Sequence, residues 1–205
     1  MLTIIDYGTG NLSSIKNMLK RLGIDSLISN QTEDILKADK LILPGVGAFD
    51  YGMEQLHLSG LVNVLNEKVV TNKTPILGIC LGVQLLTAGS EEGKTKGLGW
   101  IKAKTIAFDK SKLAANQKIP HMGWCDVMDY NRSKLFTDMP EDSRFYFVHS
   151  YHLQVDDENE VLVKASYGYP FAAGIEKENI LGVQFHPEKS HKYGMQLLGN
   201  FIKYY

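Results

Sequence analysis

The sequence predicts an α/β fold, a doubly wound and mostly parallel central sheet flanked by helices, with an added antiparallel β section. Three observations carry that expectation. Short apolar runs alternate with amphipathic segments through residues 1–89, the pattern of repeated β-α units. Glycine-rich turns follow three of those runs, at 8–10, 45–47 and 78–82, and ligand sites of such sheets lie at the carboxyl ends of their strands. After Gly89 the texture changes to strand-like stretches separated by turn residues, before one more apolar run and a closing helix.

Residues 2–5 form a first, central strand, followed by the loop DYGTGN at 6–11. Asn11 or Ser13 then caps a helix that runs to about Leu22, with Ile15, Met18, Leu19 and Leu22 on one face and Gly23 at its end. The loop opens like a dinucleotide fingerprint but fails at the sixth place, so a tight turn is the better reading. A short strand at 26–29, a helical turn at 33–38 and a buried strand at 40–44 follow, the last running into Gly45-Val-Gly47. Residues 53–70 are helical in pattern, broken at Ser59-Gly60.

The segment TPILGICLGVQLL at 74–86 reads as a buried strand turning sharply into a helix at 81–87, with Cys80 at the corner. Gly78 and Gly82 flank the cysteine two residues away on each side. That is the spacing of a nucleophile elbow, where a tight corner tolerates little side-chain bulk. A thiol at a helix N-terminus gains thiolate character, and the following amides can donate to an oxyanion. Taken alone, the motif fits a structural cysteine at the end of a core strand equally well.

Beyond a polar loop at 91–99, residues 100–108, 119–128, 145–155, 160–165 and 171–175 look like strands. Residues 179–185 are one more buried strand, and 193–205 a helix whose Leu197, Leu198, Phe201 and Ile202 form the apolar face. With no repeat, low-complexity tract or linker, residues 1–205 are expected to be one domain. A formal charge of −1 gives no basic excess for nucleic acid, and no apolar run approaches the ~20 residues of a membrane span. The first residues lack a basic leader, and two cysteines give no disulfide framework, so a cytoplasmic location is expected. No residue cluster implies a metal or other cofactor.

The strand at 179–185 runs into His186-Pro-Glu188. Side chains two apart on an extended segment point the same way, so the histidine and the acid can face one pocket. A cysteine, a histidine and a carboxylate are the parts of a triad: the thiolate attacks a carbonyl, the imidazole moves the proton, and the acid orients the imidazole. Bland readings for the rest are a partly buried thiol at Cys125, solvated rings at His57 and His191, and structural hydrogen bonding at His149 and His152.

The motifs PGVG at 44–47, GICLGVQ at 78–84 and GVQFHPE at 182–188 are similar to those of the class I (triad) glutamine amidotransferases, a family with a flavodoxin-like sheet. PHMGW at 120–124 and FVHSY at 147–151 look like the glutaminase subunits of imidazole glycerol phosphate synthases within that family. The resemblance implies that Cys80 forms a glutamyl thioester, with His186 as base and Glu188 as orienter. It implies that Gly45, Val46, Gly47, Gly82 and Gln84 line the glutamine pocket, and that Ser150 and Tyr151 hold the substrate's α-carboxylate and α-amine. A backbone amide near Val46 would turn to complete the oxyanion hole, leaving the resting site incomplete. His121, Trp124 and Tyr146 would meet a (β/α)₈-barrel synthase subunit in a heterodimer. The chain departs from the subfamily at Cys125, where asparagine is usual, and after Leu12, where arginine is common. Both departures lie near the expected partner face, so a paralogue feeding ammonia to an acetamido- or amidino-sugar enzyme stays open. So do a non-catalytic module, a cysteine peptidase and a γ-glutamyl hydrolase on the same fold.

Overall fold

The apolar runs of the amino-terminal half become parallel strands, β1 (Leu2–Ile5), β2 (Ser26–Ser29), β3 (Lys40–Gly45) and β4 (Ile76–Cys80), in a computed structural model that describes residues 1–128 and 133–205. Helices connect them: α1 (Leu12–Arg21), α2 (Thr32–Lys37), α3 (Phe49–Leu58) and α4 (Val62–Leu65), the last continuing into one π-helical stretch at Asn66–Thr71. The helix α5 (Leu81–Leu85) leaves β4 directly. Later come β5 (Ala103–Ala107), β6 (His121–Met128), β7 (Arg144–His149), β8 (Tyr151–Val155), β9 (Val161–Tyr167), β10 (Tyr169–Lys177), β11 (Ile180–Val183) and α6 (His191–Tyr204).

Strand order is β2-β1-β3-β4-β11, all parallel, and the sheet continues antiparallel through β10, β9, β6 and β7, with β8 bridging β10 and β5. The parallel strands read as continuous apolar runs because both faces are covered. Leu2, Ile4, Ile42, Leu77 and Ile79 pack with α1 and α6 residues such as Ile15, Leu19, Leu197 and Phe201. Ile5, Leu41, Leu43 and Ile76 point the other way, into a layer with Phe49, Met53, Leu65 and Leu85. Alternation along each strand thus splits one sheet between two cores.

The strand order runs outward in two directions from β1 and β3, and a doubly wound sheet binds its ligands in the crevice at that reversal. The loop at 6–11 leaves β1 there, and the turn at 45–47 leaves β3. Next in the row, β4 delivers Cys80, in register with Gly45. Beside β4, β11 pairs Gly182 with Gly78 and Val183 with Ile79, and it delivers His186 a few residues later.

Several boundaries differ from the sequence reading. Helix α3 begins at Phe49, four residues before the apolar spacing becomes helical, because the loop after Gly89 covers its first turn: Glu92 Oε2 accepts the Phe49 N–H at 2.8 Å. The stretch 145–155 is two strands, not one, with Ser150 at the corner between β7 and β8. Asn11 stands at the start of α1 without a side-chain bond to its backbone; it accepts from the Ser14 hydroxyl instead, at 2.8 Å. His191 is exposed, as expected of a solvated ring, and it also stacks on Trp124 with centroids 5.6 Å apart and planes 6° from parallel. Among the described residues no helix is long and apolar enough to cross a membrane.

Candidate active site

Cys80 ends β4 at φ 54° and ψ −113°, a backbone conformation that L-residues rarely adopt. Such a residue costs on the order of 1–3 kcal/mol and persists only where its surroundings over-determine it. The flanking glycines supply that constraint through close packing. A Cβ on Gly82 would lie 1.8 Å from the Leu43 carbonyl oxygen, and one on Gly78 would lie 2.8 Å from the Val83 backbone. Strand β3, the corner and the first turn of α5 are thereby pressed together, and the thiol is left at the floor of a cavity of roughly 250 Å³. Helix α5 has only five residues, so the dipole expected to help the thiol is a short one, and proton transfer rests on the histidine.

His186 follows β11, its N–H donating to the Tyr146 carbonyl at 2.9 Å. The buried Ser190 hydroxyl donates to the His186 carbonyl at 2.6 Å and accepts the Tyr146 N–H at 3.0 Å. Glu188 does not lie on an extended continuation of the strand, as alternation had implied. Pro187–Lys189 is one 3₁₀ turn, and the carboxylate reaches back along it to place Oε1 2.8 Å from His186 Nδ1. Both side chains are 1% exposed. An Nδ1–H donated to the carboxylate turns Nε2 into the working nitrogen, and Nε2 is buried with no hydrogen-bond partner among the described residues. Burial alone would lower the His186 pKa; the Cys80 sulfur and the Glu188 carboxylate outweigh it and raise the pKa to about 9.

The cavity is also lined by Val46, Gly47, Leu81, Gln84, Glu92, Pro120, Val148, His149, Ser150 and Tyr151. Gly45 and Gly82 lie behind that lining rather than in it. The Val46 N–H donates to Thr9 Oγ1 at 3.3 Å, tying the turn after β3 to the loop after β1. Gln84 donates to Gln184 Oε1 at 3.0 Å, and Gln184 Nε2 in turn points at Cys80 Sγ from 3.8 Å. The sequence reading passed over Gln184, though its strand-end motif contains it. It also passed over Thr9 and Glu92. Glu92 belongs to a polar loop whose docking on α3 leaves no local signature.

The three residues assigned to a partner face separate. Trp124 and Tyr146 lie opposite each other on β6 and β7, with Trp124 42% exposed and stacked on His191. Lys189 sits over the Tyr146 ring at 5.7 Å. His121 is not on that face. It is 4% exposed and packs between Tyr167 and Phe147, with its Nδ1 3.0 Å from His149 Nε2. It points inward because it stands three residues from Trp124 on the strand, on the opposite side of the pleat. The second thiol, Cys125, donates to the carbonyls of Asp126 and Ser166 at 3.4 and 3.5 Å, and burial pushes its pKa up. Among the described residues no group of three or more His, Cys, Asp or Glu side chains could hold a metal ion.

The family model "Glutamine amidotransferase class-I" matches residues 3–204. The chain is 56% identical over 203 residues, 99% of both chains, to a Methanococcus maripaludis protein named imidazole glycerol phosphate synthase subunit HisH 2. It is 48% identical, again over 99% of both chains, to the protein of the same name from Pseudomonas aeruginosa. Among solved structures, a glutamine amidotransferase superposes with a TM-score of 0.74 at 19% identity, covering 98% of this chain and 97% of that one. PurLQS of Thermotoga maritima superposes at 0.72 and 19%, covering 99% and 97%; both show the fold alone. The chain belongs to the class I glutamine amidotransferase family.

Proposed function

We propose that the chain is the glutaminase subunit of an imidazole glycerol phosphate synthase, folded as one domain over residues 1–205 and working in the cytoplasm. It hydrolyses L-glutamine and passes the ammonia to a (β/α)₈-barrel synthase subunit, its partner in a heterodimer, which makes imidazole glycerol phosphate and AICAR in histidine biosynthesis. The observation that carries the chemistry is the buried 2.8 Å His186–Glu188 pair beside a strained Cys80 in one cavity. Near-full-length identity to subunits named for that synthase supports the pathway.

Cys80 Sγ attacks the glutamine Cδ from a pair in which His186, its pKa raised to about 9, already carries the proton on Nε2. The tetrahedral intermediate collapses as the imidazolium protonates the leaving nitrogen, which departs as ammonia and leaves a glutamyl thioester on Cys80. Water, deprotonated by the same imidazole, then attacks the thioester; glutamate leaves and the thiol is restored. Glu188 holds the imidazole tautomer and stabilises its cation throughout. Gln84, held by its bond to the buried Gln184, lines the cavity where the side-chain amide is received. Ser150 and Tyr151 hold the α-groups, and the Glu92 carboxylate, which lines the same cavity, offers a counter-charge to the α-ammonium.

The oxyanion hole is half built in the resting chain. The Val46 N–H is spent on Thr9 Oγ1, so it must turn before it can donate to the developing oxyanion. A partner that turns it ties glutamine turnover to synthase readiness, since uncoupled hydrolysis would waste glutamine.

A second reading has an observation in its favour. Both relatives quoted above are numbered as second HisH subunits, and Cys125 interrupts the motif beside the partner face. A paralogue that supplies ammonia to an acetamido- or amidino-sugar enzyme would use the same cavity with a different partner. In complex with the correct synthase, Cys80→Ala should abolish glutamine-dependent product formation while ammonia-dependent formation persists. Surviving glutamine turnover in that variant would remove Cys80 from the mechanism, and transfer to a sugar acceptor instead of the barrel synthase would favour the second reading.

A further inference from the structure

Two buried histidines are left over from the triad. His121 on β6 and His149 on β7 stand opposite each other in the antiparallel register, 4% and 5% exposed. Burial holds both in the neutral form, His121 at a pKa of about 4 and His149 at about 3. Their hydrogen bonds then determine where the protons are. His149 Nδ1 lies 2.8 Å from the Tyr151 carbonyl oxygen, which can only accept, so Nδ1 carries the hydrogen. His149 Nε2 is therefore a lone pair, and the His121 Nδ1 that lies 3.0 Å from it must be the donor. The result is a directed chain, His121 Nδ1–H to His149 Nε2 and His149 Nδ1–H to the Tyr151 carbonyl. Aromatic rings hold the planes: Tyr167 and Phe147 stack on His121, and Phe108 meets His149 edge-on.

The end of that chain is the corner between β7 and β8, where Ser150 and Tyr151 enter the cavity. At that corner the Ser150 carbonyl accepts the Phe108 N–H at 3.5 Å and Tyr151 pairs with Ala107 on β5; the His149 bond to the Tyr151 carbonyl adds a restraint from the β7 side.

We infer that His121 and His149 are positioning residues for glutamine binding: by fixing one tautomer in series they hold the Ser150–Tyr151 corner in the shape that receives the substrate's α-groups. The inference rests on the glutaminase reading of the cavity. It assigns no proton transfer to either ring. It makes the hairpin that displays Trp124 and Tyr146 outside also the element that shapes the pocket inside.

Two measurements test it. Nitrogen NMR of the histidine rings in the whole chain should find His121 and His149 both protonated on Nδ1 at neutral pH; a proton on Nε2 of either ring overturns the inference without any appeal to activity. The second is L-glutamine affinity in the Cys80→Ala background, measured by calorimetry. There His121→Phe, which keeps the stacked shape and removes the donor, should weaken binding about tenfold. His121→Asn, whose amide nitrogen can replace Nδ1, should restore most of it, and His121→Gln, whose amide falls near Nε2, should not. Equal affinity in all four proteins overturns the inference while leaving the pocket in place. No glutamine binding to Cys80→Ala itself overturns the glutaminase reading and the inference together.

Discussion

Glu188 shows how much one side chain can govern at this site. Its carboxylate is buried, bonded to His186 Nδ1 at 2.8 Å, and supports a histidine that keeps its proton well above the usual range. Glu188→Gln keeps the shape and loses the charge, so kcat should fall on the order of 10³–10⁴-fold with KM for glutamine little changed. The same change carries a stability signature with a definite sign. The folded pKa of His186, about 9, is above its ordinary value of 6.5. Its stabilisation is therefore fully present below pH 6.5 and is lost as pH rises through 9. In denaturant titrations, wild type should exceed Glu188→Gln by about 3 kcal/mol near neutral pH, and the gap should narrow above pH 9. A gap that widens with pH would mean that His186 is neutral in the folded chain.

At the scale of elements, the sheet's row of strand ends sets the chemistry. The parallel strands were legible because residues buried on both faces must be apolar, and β1, β3, β4 and β11 carry that mark without ambiguity; their order in the sheet was not. The elbow was legible because its glycines answer to packing that nothing else satisfies. Gly82→Ala places a Cβ against the Leu43 carbonyl, a backbone atom that cannot step aside, and should destabilise the chain by about 3 kcal/mol or more in thermal unfolding. What stayed hidden was whatever depends on elements meeting at a distance. The Thr9–Val46 bond joins two glycine loops 37 residues apart, Glu92 reaches the cavity by docking on α3, and His121 turns inward although its motif neighbour Trp124 faces out. The strand break at Ser150 was missed because the apolar alternation continues through it. Thr9→Val removes the acceptor that holds the Val46 N–H and should raise glutamine hydrolysis by the unpartnered chain; unchanged basal turnover would show that this bond is not what keeps the hole incomplete.

Over the whole molecule, one hairpin joins inside to outside. Trp124, His191, Tyr146 and Lys189 make an aromatic and cationic patch, the composition that dominates binding energy at protein interfaces. Trp124→Ala should weaken association with the synthase subunit by about 2 kcal/mol, read by calorimetry, and leave the unfolding midpoint of the free chain nearly unchanged. The most direct test of the central claim is to quench the complex during glutamine turnover with acid and locate the adduct by peptide mass spectrometry. A glutamyl thioester on Cys80, absent in Cys80→Ala and from Cys125, is the result expected. Steady glutamine hydrolysis with no adduct on Cys80, or with the acyl group on another residue, would contradict it.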